Sequence, residues 1–524
     1  MKSKCMGCLF LLFSLALAYQ PPINVIIDVH IEPFETEIGD TVSYPTRLRG
    51  LCWLRDTAAW FGAPLSVQSS GEFMEYVADS GDYDEIMRII ELGGDVGTHT
   101  HPNYWRYGRH DWRLFAPVEY IYSAPPETVW GVIMANKSCV DSVIGAENNR
   151  TLAPFFREYL PEIMDSLGFY QICIMEMNQE IEAESVLMHY PWNPWQVRVD
   201  PLDLEDMLRE DFDQPYVQIP LLPEAHPWSP TDPPFWKRRF IMLYIEWLAQ
   251  IRHGDYDKVW VISWLAHPRA ILYRTDDHID ILKWLTDNFV GKTTPTGDTI
   301  AKFSTASEVA LQYYSWRSEH PGLSSFNFSP GGEYPYTYQT MRYFLWGSTY
   351  DTTVHLGDDI ECFRFIRRDE YMVPRDTIWV LWHWFGDDTI DFCLEHDGYL
   401  LTDNGVGDTI IRHCGEIPIC PEPLFVVPFD TTGAVAESRR LWGKPLLSTF
   451  PNPFVLGCRM EVFAPAPATV EIISADGRIL WRKKVAPGRS AISVDATGWK
   501  PGVYIAKLSA FGRTMDTEKL LLIR

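Results

Sequence analysis

The chain has 524 residues, 14% of them aromatic with 21 tryptophans, and a formal net charge of −25. Such acidity argues against nucleic acid and against an anionic membrane surface as partners. The length predicts roughly three or four domains and a large buried core.

The first residues carry Lys2 and Lys4, and then the apolar run LFLLFSLALA spans Leu9 to Ala18. That is a signal-peptide pattern, with small residues placed for cleavage near Tyr19, and the run is too short for an anchor. Residues 1–18 are therefore expected to leave, giving a secreted or cell-surface chain with no membrane span in its mature form. Eight cysteines follow, Cys52, Cys139, Cys173, Cys362, Cys393, Cys414, Cys420 and Cys458, none of them in a CxxC pair. Disulfides are permitted outside the cytoplasm, and Cys414 and Cys420 flank a short segment they could close.

From 20 to about 290, apolar runs alternate with helical patterns, as in repeated βα units. Seven candidate strands stand out: INVIIDV (23–29), APLSV (63–67), DVGTH (95–99), VWGVIMA (129–135), FYQICIM (169–175), YVQIPLL (216–222) and VWVISWL (259–265). Helices are expected near Asp84, where Ile86, Ile89 and Ile90 share a face, and from about Phe155 to Leu167 before Gly168. Two more, over 276–289 and 306–316, are expected to finish an outer layer. The fold class is thus α/β, an irregular (β/α)7 barrel over 20–325.

After 325 the texture changes to period-two alternation with Asp and Gly turns, as in DTIWVLWHWFGDDTIDFCLEHDGYLL over 376–401. This predicts an all-β sandwich over 326–432, packed beside the barrel. A linker over 433–446 leads to a small C-terminal β-sandwich over 447–524, with hairpin turns expected at Asp476-Gly477 and at Pro501-Gly502.

In a parallel barrel, chemistry sits at the carboxyl ends of the strands. The first run closes on Asp28, His30 and Glu32, the third on His99 and His101, and the last on His267. Arg150 and Pro154 lie in ENNRTLAP, after the fourth run. Histidines two apart in an extended segment point the same way, so His99 and His101 can hold one divalent metal, with Asp28, His30 or Glu32 completing a three-ligand site. A zinc-type ion would activate water and polarise a carbonyl, Asp28 would take the proton, and His267 would protonate the leaving group. Tyr104, Trp105, Trp112, Trp192, Trp195 and Trp228 sit in polar loops and offer a sugar-stacking floor, with Trp105, Tyr104 and Trp192 as the substrate-binding residues.

Two resemblances add to this. The acidic DVHIE motif, ELGGDVGTHTHP over 91–102, APFFREYLPEIMDSLGFYQ and a late strand ending in His267 resemble the polysaccharide deacetylase superfamily, in a divergent HxHP form. The resemblance implies a metal-dependent carbohydrate deacetylase, with Asp28 as base, Arg150 orienting it, His267 as acid, and His99 and His101 as ligands. His30 stands as the expected third ligand, with Asp28 and Glu32 open beside it, because DVHIE replaces the family's paired aspartates. FPNPF at 450–454, the central DGR, GVY and the basic end resemble a type IX secretion sorting domain. That implies the type IX secretion machinery as a partner and an extracellular polysaccharide as substrate. Two other readings compete: a glycoside hydrolase of a related seven-stranded barrel, which needs a carboxylate pair, and a non-catalytic glycan-binding surface protein on a degenerate esterase scaffold.

Overall fold

The computed structural model describes residues 20–34, 44–100, 103–105, 112–114, 125–153, 160–173, 192–196, 210–213, 216–219, 233–253, 257–325, 341, 344–345, 348–357, 359–368, 374–394, 398–401, 409–411, 414–428, 447–450, 457–464, 468–474, 477–485, 488–510 and 513–522. The expected signal peptide, the expected linker, His101, Pro154 and Trp228 lie outside them. Among the described residues, no helix is long and apolar enough to cross a membrane.

The first part of the chain is a curled parallel sheet wrapped by helices. In chain order it comprises β1 (Ile23–Ile31), α1 (Tyr44–Trp60), β2 (Leu65–Ser69), α2 (Gly71–Ser80), α3 (Tyr83–Glu91), β3 (Asp95–His99), a small hairpin of β4 (Asn103–Trp105) and β5 (Trp112–Leu114), α4 (Pro126–Ile144), β6 (Thr151–Ala153), α5 (Leu160–Leu167), β7 (Gln171–Cys173), β8 (Val217–Ile219), α6 (Pro233–His253), β9 (Trp260–Ala266), α7 (Pro268–Ile271), α8 (Thr275–Asn288), β10 (Ala301–Phe303) and α9 (Ala306–Glu319). Neighbouring strands run β9-β1-β2-β3-β6-β7-β8, all parallel, with β10 beside the first half of β1.

With β10, the sheet has eight strands among the described residues where seven were expected, and one expected strand is absent. The run 129–135 is not a strand: it lies inside α4, and the fourth strand is β6 instead. Pro126 occupies the first helical turn, where its missing N–H costs nothing. Val129, Val132, Ile133, Val140 and Ile144 then recur at helical spacing and are buried, while Trp130 points out.

Between β8 and β9 the curl is bridged by residues 192–196. The Trp195 N–H and C=O exchange hydrogen bonds with Gln218 of β8, and the Trp192 carbonyl accepts from Val261 N–H of β9 at 2.9 Å.

Strand parity sorts the core. On β1, Ile23, Val25, Ile27 and Val29 face the surrounding helices, while Ile26 belongs to a second cluster with Ala153, Val217, Ile219, Val259 and Val261. That inner cluster is covered by Val309, Ala310, Tyr313 and Trp316 of α9. The last helix therefore packs against the inward-facing residues, not in the outer layer as expected. Its N-terminus is fastened there, with Ala306 N–H donating to Ser66 Oγ at 2.7 Å and Ser307 N–H to Asp95 Oδ2 at 2.8 Å.

The all-β part that follows contains a six-stranded antiparallel sheet. Its strands are β11 (Ser348–Thr353), β12 (Ile360–Arg368), β13 (Pro374–His383), β15 (Gly398–Leu401), β16 (Thr409–Ile411) and β18 (Leu424–Pro428), and a separate ribbon pairs β14 (Asp388–Cys393) with β17 (Cys414–Ile419). Alternation along β13 feeds two cores. Ile378, Val380 and Trp382 join the barrel's main core, whereas Trp379 and Leu381 pack with Phe392, Ile417 and Ile419 of the ribbon. The sheet thus shares its core with the barrel helices, and Arg238 of α6 donates to the Ser348 carbonyl at 2.6 Å. Cys393 and Cys414 lie opposite each other in the ribbon and form a disulfide, so Cys414 does not pair with Cys420.

The tail forms two sheets around its own core. One holds β19 (Leu447–Phe450), β20 (Gly457–Ala464) and β23 (Gly488–Asp495), and the other β21 (Ala468–Ser474), β22 (Ile479–Val485), β24 (Gly502–Ala510) and β25 (Arg513–Leu522). Gly477, at φ +81°, turns the β21–β22 hairpin. The Pro501-Gly502 segment is not a hairpin turn, because β23 and β24 belong to different sheets.

One glycine is required by close approach. On β2, Gln68 Nε2 crosses β3 to donate to Thr151 Oγ1 of β6 at 2.9 Å, and Gly97 lies beneath it. A Cβ at Gly97 would stand 1.8 Å from Thr151 Oγ1 and 2.5 Å from the Thr151 carbonyl oxygen. Gly97→Ala should therefore cost about 1–3 kcal/mol by overpacking. Gly131→Ala, inside α4 with nothing within 4 Å of the new methyl, should instead stabilise by about 0.5–1 kcal/mol. Urea denaturation of the two variants checks both signs.

Candidate metal centre

Parity along β1 places Asn24, Ile26, Asp28 and His30 on the inward face, and Glu32 continues the series one residue past the strand's end. Asp28 and His30 are essentially fully buried, and Glu32 is 9% exposed. Two strands away, His99 is the last residue of β3. On the other side of β1, His267 follows the last residue of β9. These strand ends converge because the strands are parallel and in register, with Asp28 opposite Leu265 and Ser66.

His30, Glu32 and His99 form a tight group whose donor atoms lie within 4.8 Å of one another. His99 Nε2 lies 3.1 Å from Glu32 Oε2, and the His30 and His99 rings are 4.7 Å apart. His267 Nε2 reaches the other Glu32 oxygen, Oε1, at 3.3 Å, and His267 is the more exposed partner, at 25% of its side chain. On the inner side, His30 Nε2 lies 3.1 Å from Asp28 Oδ2. Asp28 Oδ1 is buried with no hydrogen-bond partner among the described residues, a costly state for a carboxylate oxygen.

His99 Nδ1 faces the Ala153 carbonyl at 3.1 Å. A carbonyl can only accept, so Nδ1 carries the proton and Nε2 is turned toward Glu32. This is the outer hydrogen bond that orients metal-binding imidazoles. Two imidazole nitrogens and a carboxylate oxygen, in a buried cluster with one unpartnered Asp28 oxygen beside it, fit a divalent ion held by three protein ligands with a position left open.

Of the expected site residues, the structure brings together Asp28, His30, His99 and His267. It also brings in Glu32, left open as a ligand in the sequence. His101 lies outside the described residues. Arg150 is not at the site. It precedes β6, at the amino end of that strand, and its guanidinium bonds the Glu147 and Gly168 carbonyls at 3.2 and 3.1 Å. The family resemblance gave Arg150 its expected role, and placing the fourth strand at 129–135 had put it beyond a carboxyl end.

Trp192 does not offer a stacking face: it is 6% exposed, in the main core, within the segment that bridges β8 and β9. Trp195 is fully buried, and Trp112 is 3% exposed and donates from Nε1 to Glu75. The backbones of Tyr104 and Trp105 form the hairpin strand β4. The Ala153 carbonyl was missed, and no residue-type signal could have announced a main-chain oxygen.

Neither family models nor curated proteins match the chain. Among solved structures, it is similar to a candidate polysaccharide deacetylase from Mycobacterium smegmatis, at 12% identity and a TM-score of 0.35 over 57% of this chain and 92% of that one. It is also similar to the peptidoglycan deacetylase PdaC from Bacillus subtilis, at 12% identity and a TM-score of 0.25 over 57% and 95%. A third is a CE4 family pseudoenzyme from Bacillus anthracis, at 12% identity and a TM-score of 0.26 over 56% and 66%. Likenesses this loose decide neither fold nor chemistry; the geometry of the cluster carries the functional reading.

Metal ligands must be deprotonated, and an ion at this cluster would take the place of the 3.1 Å contact between His99 Nε2 and Glu32 Oε2. Calorimetric zinc titration in buffers of different ionisation enthalpy should show about one proton released per ion. Glu32→Ala should weaken binding by at least about 10-fold.

Proposed function

We propose that the chain is an exported metal-dependent hydrolase that removes acetyl groups from an acetylated extracellular polysaccharide. The observation that carries this reading is the buried His30–Glu32–His99 group flanked by Asp28 on one side and His267 on the other. A zinc-type ion bound there would polarise a carbonyl and lower the pKa of a coordinated water. The remaining chemistry belongs to the side chains. Asp28 has a carboxylate oxygen free of hydrogen bonds within the described residues, so it can accept the proton of the attacking water. His267, partly exposed beside Glu32, is positioned to give a proton to the departing sugar oxygen or nitrogen. The Ala153 carbonyl holds His99 through Nδ1, which makes Nε2 the atom that would meet an ion.

The likeness of DVHIE and GTHTHP to polysaccharide deacetylase motifs supports the same reaction class. Export is supported by the signal-peptide pattern before residue 19 and by the tail's resemblance to a type IX sorting domain, which makes the type IX secretion machinery its partner. The Cys393–Cys414 disulfide is of a kind that persists in oxidising compartments.

One observation favours a second reading, a glycan-binding protein on this scaffold: the Arg150 guanidinium is spent on the Glu147 and Gly168 carbonyls at the amino end of β6, not on orienting the base. The two separate in one assay. Zinc- or cobalt-loaded protein should release acetate from acetylated xylan or an N-acetylated glycan without generating reducing ends. Asp28→Asn and His99→Ala should each lower the rate by at least about 100-fold. Glycan binding with no acetate release from loaded protein contradicts the hydrolase reading.

A further inference from the structure

Glu32 lies one residue beyond the end of β1, where the ladder that fixes strand backbones has stopped. The Ile31 carbonyl accepts from Ser70 N–H at 3.0 Å. Beyond the strand, contacts with the helices set where the Glu32 carboxylate, which touches both His99 and His267, originates. Arg47 of α1 supplies one of them. It is 2% exposed, and its Nη1 donates to the Glu32 main-chain carbonyl. Its guanidinium also lies over the Phe34 ring, 4.2 Å from the centroid. Phe34 N–H in turn donates to Glu72 Oε2 of α2 at 2.8 Å. Two helices thus grip residues 32–34 from both ends.

We infer that Arg47 is a positioning residue for the metal centre, holding the Glu32 backbone so that its carboxylate meets His30 and His99. This rests on the metal-dependent reading of the cluster. A buried Arg is suited to the task because it is permanently charged, reaches a carbonyl while stacking on an aromatic face, and has a planar group whose orientation is set by both contacts. A guanidinium is expensive to bury, and Arg47 aims one of its donors at the Glu32 carbonyl. Arg47 is not part of any motif in the sequence, lying 15 residues beyond the ligand it serves.

The test uses cobalt, whose visible absorption reports ligand number and geometry. Wild type, Arg47→Lys and Arg47→Met are purified without metal, compared by circular dichroism and thermal midpoint, and titrated with cobalt. The Met variant should bind cobalt about 10- to 100-fold more weakly, with an altered band shape, as outer-shell losses do. Lys should recover part of the affinity, since an ammonium can reach the carbonyl but cannot stack flat on Phe34. A folded Met variant with wild-type affinity and spectrum overturns the inference. Should Met fail to fold, the Lys variant decides: an unchanged affinity and spectrum overturn it, and a weaker, altered site supports it. Wild type that binds no cobalt would instead overturn the metal-dependent reading itself, so the two failures are distinguishable.

Discussion

A strand buried on both faces must send every second side chain into the barrel's interior, and β1 uses that constraint to build the site. Its outward residues are branched aliphatics that anchor the surrounding helices, while its inward residues run Asn24, Ile26, Asp28 and His30, polar at both ends. Polar groups with so little access to water must satisfy one another or a ligand. At the amino end, Asn24 donates to Gln312 and accepts from Ser304. At the carboxyl end, the neighbours are other ionisable groups, and the Asp28 oxygen left over is the strongest sign that the set is built for something more.

The same alternation organises the rest of the molecule. In the six-stranded sheet, adjacent residues of β12, β13 and β18 go to opposite cores, so the sheet is clamped between barrel helices and the disulfide-linked ribbon. The barrel's α6 and α8 therefore carry a second layer, and Trp284 Nε1 donates to Tyr350 Oη across the join at 3.2 Å. This packing shields the helices on β1's outer face, while the site opens at the strand ends. Support and chemistry occupy different surfaces.

Much of this was legible in the residues. Six of the sheet's eight strands fall within or beside the runs read as strands, because a two-sided buried strand is a short apolar run with few alternatives. The segment 129–135 misled for the opposite reason: a short apolar run looks alike in a strand and in a buried helix, and only the wider spacing to Ile144 separates them. That error also placed Arg150 beyond a strand's carboxyl end, where the resemblance had given it a role. Glu32 was legible as the third step of a period-two series, although DVHIE in place of paired aspartates left the choice of ligand open. Trp192 shows where local reading fails, since its polar, proline-rich neighbours suggest a loop floor while the segment fills a gap between two strands. Cys393 and Cys414, 21 residues apart, meet through strand register, which cysteine spacing alone cannot reveal.

The central claim is that one divalent ion sits among His30, Glu32 and His99, and anomalous diffraction from zinc-soaked crystals tests it most directly. The account predicts a single strong peak about 2.0–2.2 Å from a nitrogen of each histidine and an oxygen of Glu32. An absent peak, or an ion bound without Glu32, would contradict it.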